Sequence, residues 1–225
     1  MTILVVAATI GELFPLIDFL DSHWTKKSPG VYQQERTTIQ IVVTGPGLTA
    51  TAFALGFYFG QAKPDLAINA GVAGALTREL TNGEVVEVTE EVFADLGAEE
   101  ADGSRMDLFQ MDLLMPDTLP FQEGKLRAPH HAFAKDLPKV AGITVNMVHG
   151  SQPSIDRVKA RYPKASIETM EGAAFFYACL IAEVPFIQIR AISNAVEPRD
   201  RSRWELSLAI NNLSDSLKAI LESLT

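Results

Sequence analysis

The chain has 225 residues, 47% hydrophobic and 21% charged, with a formal net charge of −9. That is ordinary globular composition, and it excludes a disordered, collagen-like or disulfide-stapled chain. The negative balance makes nucleic acid and anionic membranes poor partners.

Thr2–Ala8 is a continuous apolar, β-branched run, which predicts a strand buried on both faces. Gly11–Leu20 predicts a helix, with Leu13, Leu16, Ile17 and Leu20 at helical spacing. Strands follow at Val31–Glu35 and Thr38–Thr44, a helix at Ala50–Gln61, and a buried strand at Leu66–Ala70 closed by a turn at Gly71–Gly74. Glu84–Phe93 alternates charged and apolar residues, as a half-exposed strand does. Residues 94–130 predict loop and short strand. Beyond them come a strand at Ile143–Val148, helices at Pro153–Tyr162 and Met170–Ile181, and a last strand at Pro185–Ile192. From Arg203 onward, Leu206, Ile210, Leu213, Leu217, Ile220 and Leu224 form one stripe of an amphipathic closing helix. Strands and helices alternate throughout residues 1–225, so the expected architecture is one α/β domain in three layers.

The charge is unevenly placed. Glu84–Asp117 holds eleven acids against Arg105 alone, and the remainder is close to neutral. That segment reads as a solvated surface. Cys179, the single cysteine, lies in an apolar run and reads as a small buried hydrophobe. Met1–Ala8 lacks the basic start and cleavage site of a signal peptide, and no apolar run approaches membrane-span length, so the expected compartment is the cytoplasm. His23, His130, His131 and His149 have no partners at metal-ligand spacing and read as structural or surface residues. No metal and no cofactor are expected.

In α/β folds the site gathers outside the carboxyl ends of the strands. Thr44-Gly45-Pro46-Gly47 is either a tight turn or a backbone cradle for phosphate; no Walker lysine follows. Gly71–Gly74 either receives a flat ligand or allows close packing. Glu12 is either a favourable first-turn acid or a site acid. Glu171 opens a very apolar helix, so it is either partnered or used. Asn194, after the last buried strand, is either a cap or a reader of a heterocycle's edge.

Three segments carry a resemblance: Ile68–Gly74 (INAGVAG), Glu168–Ala174 (ETMEGAA) and Arg190–Asn194 (RAISN). With Glu12, their order and spacing resemble the nucleoside phosphorylase/nucleosidase superfamily, from residue 1 to about 222. Asp95–Glu99 and Arg199 with Trp204 look most like its futalosine hydrolase branch, which serves menaquinone synthesis. The resemblance implies a twisted mixed central sheet, a homo-oligomer of two or more copies, and a small-molecule nucleoside substrate. It implies that Glu171 accepts hydrogen bonds from the ribose hydroxyls and that Met170 packs under the sugar. It assigns Glu12 to a nucleophilic water and the backbone of Val72, Ala73 and Gly74 to the base. Ser193 orients Asn194 toward the departing purine near N7.

Two departures sharpen this. Phosphorylases of the superfamily carry an arginine near the N-terminus for phosphate; the loop Thr9–Leu13 has Glu12 and no arginine, which favours water. Adenine-specific nucleosidases carry an Asp where Asn194 stands, which favours a 6-oxopurine and leaves no acid at that position. Hence the expected reaction is hydrolysis of futalosine to hypoxanthine and dehypoxanthine futalosine. The alternatives are a methylthioadenosine/S-adenosylhomocysteine nucleosidase, a purine nucleoside phosphorylase, or a non-catalytic nucleotide sensor. The stacking element is replaced by Gly150-Ser151-Gln152-Pro153. Arg157, Arg199, Arg201 and Arg203 are candidates for the substrate's carboxylate tail. If the acidic segment reaches a neighbouring subunit, Phe93 is the expected contact.

Overall fold

The computed structural model describes residues 1–129, 134 and 136–224; His130 and His131 lie outside them. In chain order the strands are β1 (Thr2–Ala7), β2 (Thr25–Ser28), β3 (Val31–Gln34), β4 (Thr37–Val43), β5 (Leu66–Ala75) and β6 (Val85–Phe93). They continue as β7 (Gly97–Glu99), β8 (Arg105–Asp107), β9 (Leu126–Arg127), β10 (Lys139–Thr144), β11 (Ile167–Thr169) and β12 (Phe186–Ala195). The helices are α1 (Phe14–His23), α2 (Leu48–Phe59), α3 (Gln152–Arg161), α4 (Gly172–Ile181) and α5 (Leu206–Leu224). None of them is long and apolar enough to cross a membrane.

Ten strands form one sheet in the order β11-β10-β6-β12-β5-β1-β4-β3-β2, with β9 on β6. The block β4-β1-β5-β12 is parallel, β12 meets β6 antiparallel, and β6-β10-β11 is parallel again. The sheet is therefore mixed. It also curls far enough for β11 to pair antiparallel with β5. The circuit β5-β12-β6-β10-β11 closes on itself, and its rim carries the strand ends discussed below.

Helices cover both faces. On one, Leu16 and Leu20 of α1 and Leu213 and Leu217 of α5 pack over Ile3, Ile68 and Ile189. On the other, Phe175, Phe176 and Cys179 of α4 pack with Leu4, Ala67 and Phe186. Each such fully buried aliphatic or aromatic side chain contributes roughly 1.5–3 kcal/mol. Cys179 is a buried hydrophobe, and burial pushes its thiol pKa well up. α3 joins a smaller cluster in which Ile155 and Val158 meet Ile143 and Val145.

Five sequence expectations need correction. Gly71–Gly74 is not a turn, because β5 runs straight through it, held on one side by β12 and at its end by β11. β6 is not half-exposed: both its faces are covered, and Glu87 and Glu91 are buried with Val86 and Val88. Two of the eleven acids in Glu84–Asp117 are thus interior, so that segment is not simply a solvated surface. The strand expected at Ile143–Val148 begins at Lys139 and ends at Thr144, in register with β6. The helix expected from Gly11 opens as a 3-10 turn over Ile10–Leu13 before α1.

Candidate active site

Glu12 sits just past the end of β1 with both carboxylate oxygens held. Oε2 accepts from the Thr9 N–H at 2.9 Å and the Thr9 hydroxyl at 3.1 Å; Oε1 accepts from the Val72 N–H at 3.1 Å. The carboxylate is therefore fixed between the ends of β1 and β5. It caps the first turn with Thr9 and also bridges to β5.

Arg190 comes from the middle of β12 and is fully buried. Gly71 makes room for it: a Cβ there would lie 2.1 Å from Arg190 Nη1 and 2.7 Å from Glu12 Oε1. The guanidinium and the Glu12 carboxylate thus converge on the space over Gly71. Nε, Nη1 and Nη2 of Arg190 have no hydrogen-bond partner, which is costly for a buried cation unless a ligand or water takes those donors. Its ion pair is the approach of Nη2 to Glu171 Oε2 at 3.9 Å.

Glu171 is the residue that caps α4. Its Oε1 accepts from the Gly47 N–H at 2.9 Å. The last amide of the loop Thr44–Gly47 thus serves a carboxylate. Met170, half-buried, stands beside Glu171.

At the other end of the same rim lies Asn194. Ser193 Oγ donates to Asn194 Oδ1 at 2.8 Å, and Asn194 Nδ2 donates to the Ala195 carbonyl at 2.9 Å. The Nδ2 group carries a second hydrogen, a donor available to a ligand acceptor. Gly74 of β5 is in register with Asn194 on one side and with Glu168 of β11 on the other. Val72–Gly74 thus forms the backbone floor linking Glu12 to Asn194.

Four residues with a place here were not picked out by sequence reasoning. Arg190 is the first; a lone charge inside the apolar run Phe186–Ile192 is its signal. Glu168 is buried, accepts from the His149 N–H at 3.0 Å, and makes a short bond to His149 Nδ1. His149 is mostly buried, held by Glu168, and lines the cavity that holds Asn194, Gly74 and Trp204. Nothing in the sequence marks it. Glu91, fourth, lies behind the site. It accepts from Thr144 Oγ1 at 2.9 Å and Gln188 Nε2 at 2.7 Å, and Thr144 Oγ1 in turn accepts from the Ala173 N–H at 2.7 Å. This chain fixes the first turn of α4, and with it Glu171. Burial pushes the Glu91 pKa up to about 7; the two hydrogen bonds and Arg190 oppose that, and Glu171 adds to it.

Of the arginines, Arg199 and Arg201 stack on Trp204, with Arg199 lining the Asn194 cavity; Arg203 pairs with Glu197 at 2.8 Å; Arg157 is exposed. Phe93 packs with Phe121 and Tyr177 within this chain. Among the described residues no group of three His, Cys, Asp or Glu could hold a metal ion.

Two carboxylates, Glu12 and Glu171, and the Arg190 guanidinium thus gather beside the ends of β1 and β5, with the Asn194 amide farther along the same rim. The family model described as the phosphorylase superfamily matches residues 2–225, and the chain belongs to that family. It is 33% identical over 190 residues to a futalosine hydrolase of Thermus thermophilus, covering 79% of each chain. It is 32% identical over 162 residues to a futalosine hydrolase of Streptomyces coelicolor, covering 71% of this chain and 67% of that one. Its fold matches the S-adenosylhomocysteine nucleosidase of Streptococcus pyogenes, solved with 5-methylthiotubericidin, at a TM-score of 0.81 and 22% identity, covering 100% and 98%. It also matches the futalosine hydrolase of Helicobacter pylori at 0.79 and 18%, covering 99% and 98%. The protein is an N-ribosyl hydrolase.

Proposed function

We propose that this protein hydrolyses the N-glycosidic bond of a 6-oxopurine nucleoside. The substrate is futalosine, and the products are hypoxanthine and dehypoxanthine futalosine, a step of menaquinone synthesis in the cytoplasm. The whole chain, residues 1–225, acts as one nucleosidase domain that needs no metal or cofactor. The observation that carries this reading is the convergence over Gly71 of Glu12 and Arg190, whose guanidinium has no hydrogen-bond partner, beside Glu171. Names among the relatives support the choice of substrate.

Water binds beside the Glu12 carboxylate and the Arg190 guanidinium, hydrogen-bonded to both. As the bond from C1′ to N9 lengthens, positive charge grows on the ribose ring. The Glu171 carboxylate accepts from the ribose hydroxyls and stabilises that charge, while Met170 packs under the sugar. Glu12 takes the proton of the attacking water. The base lies along Val72, Ala73 and Gly74, and the second Nδ2 hydrogen of Asn194, oriented by Ser193, bonds to its N7 side. An Asn in that place fits a 6-oxopurine, because it donates where an Asp would trade a proton.

A methylthioadenosine/S-adenosylhomocysteine nucleosidase is the second reading, favoured by structural neighbours of that name. Both readings take a homo-oligomer; exposed Phe53 and Phe57, one turn apart on α2, are apolar surface that a second copy covers. The test offers futalosine, inosine and methylthioadenosine, with and without phosphate, and separates free bases by chromatography. Hypoxanthine release independent of phosphate is expected. Dominant adenine release, or strict phosphate dependence, contradicts the proposal.

A further inference from the structure

The nucleosidase reading leaves the departing base without a proton, since the Asn194 amide has none to transfer. The same cavity holds a second pair of groups. Glu168 and Asn194 are both in register with Gly74, from opposite sides of β5. Glu168 is buried, and its two oxygens clamp His149: Oε1 accepts from the backbone N–H at 3.0 Å, and Oε2 bonds ring Nδ1. The imidazole is mostly covered, with 13% of its side chain exposed, and it lines the cavity with Gly74, Asn194, Arg199 and Trp204. A carboxylate on Nδ1 fixes both the ring's orientation and its tautomer. Nε2 is then the ring's free nitrogen, a donor whenever the ring carries its second proton.

Resting on the nucleosidase reading above, we propose that His149, held by Glu168, is the catalytic acid that protonates the departing purine. The step balances. The bond from C1′ to N9 breaks and its electron pair goes to the base. His149 gives its Nε2 proton to the base and is left as neutral imidazole, still bonded through Nδ1–H to Glu168. The attacking water bonds to C1′ and gives its proton to Glu12. After the base departs, Glu12 releases its proton to solvent and solvent returns one to His149. Asn194 aligns the purine and Glu168 positions the acid, so two side chains divide what one protonated Asp does in the adenine-specific enzymes.

The test uses His149→Ala and His149→Gln in the full chain, with inosine or futalosine as substrate and hypoxanthine as a binding probe. Loss of a positioned acid costs on the order of 10²–10⁴ in kcat. Both variants are expected to lose kcat in that range while binding hypoxanthine within about tenfold of the wild type. Excess imidazole is expected to restore turnover to His149→Ala and leave the wild type unchanged. Three outcomes overturn the proposal: kcat preserved within about threefold, a fall in kcat that imidazole does not recover, or a loss of hypoxanthine affinity larger than the loss of kcat. A wild type that releases no base from any nucleoside contradicts the nucleosidase reading itself, which is a separate result.

Discussion

Replacing Glu91 by Gln tests the buried chain that supports Glu171. Glu91 is fully buried and hydrogen-bonded to Thr144 and Gln188. The groups facing it from other elements are Arg190 on β12 and Glu171 at the start of α4. Burial dominates, and the pKa rises from 4.5 to about 7. A raised folded-state pKa means that the native protein binds this proton more tightly than the unfolded chain does. Stability from this group is therefore complete below pH 4.5 and is lost as pH rises through 7. The full shift corresponds to about 3 kcal/mol. Glutamine is neutral throughout, so the variant lacks this dependence, and other groups cancel in the difference. The sequence pI is near 4.9, so the acidic measurement belongs at about pH 5.5 to stay clear of isoelectric aggregation. Between there and pH 8, the variant gains about 2 kcal/mol on the wild type. For a chain of this size that opens a gap in Tm of about 4–8 °C. Differential scanning calorimetry of both proteins at the two pH values reads it. Parallel shifts, with the difference constant within about 0.5 kcal/mol, refute the reasoning and show that Arg190 fully compensates a charged Glu91.

Three further outcomes follow from the site. Gly71→Ala drives a methyl group into Arg190 Nη1 and Glu12 Oε1. It is expected to cost about 1–3 kcal/mol of stability and to depress kcat more than it raises KM; chemical denaturation and steady-state kinetics check both, and unchanged kcat contradicts the placement of water beside Glu12 and Arg190. Glu12→Gln keeps substrate binding and loses about 10²–10⁴ in turnover, read by calorimetric titration beside single-turnover kinetics; retained turnover removes Glu12 as the base. Asn194→Asp lowers kcat/KM on 6-oxopurine relative to 6-aminopurine nucleosides; an unchanged ratio refutes the assignment of Asn194 to the base.

The buried strands are legible because β1 is a continuous run of β-branched and aliphatic residues, while the first half of β5 and β12 as far as Ile192 are mainly aliphatic, interrupted by Asn69, Gln188 and Arg190, a pattern that suits a doubly covered strand. β2 is not, because Thr25–Ser28 is exposed along its whole length and pairs only with β3 at the sheet's edge. The second half of β5 looks like a turn because it is small and glycine-rich. Its small residues serve instead to admit Arg190 and Glu12 over Gly71, and tertiary pairing overrides local propensity. Glu12, Glu171 and Asn194 stand out as polar residues at strand ends. Glu91 hides within an alternating acidic strand, because its partners Thr144 and Gln188 lie 53 and 97 residues away. His149 sits in a loop with no pattern, and only the curl that brings β11 against β5 carries its partner Glu168 to the site.

A competition between substrates tests hydrolysis of a 6-oxopurine nucleoside most directly. Futalosine and methylthioadenosine, at equal concentration in one phosphate-free mixture, are sampled for free hypoxanthine and free adenine. Hypoxanthine as the dominant base is the predicted result. Adenine as the dominant base contradicts it.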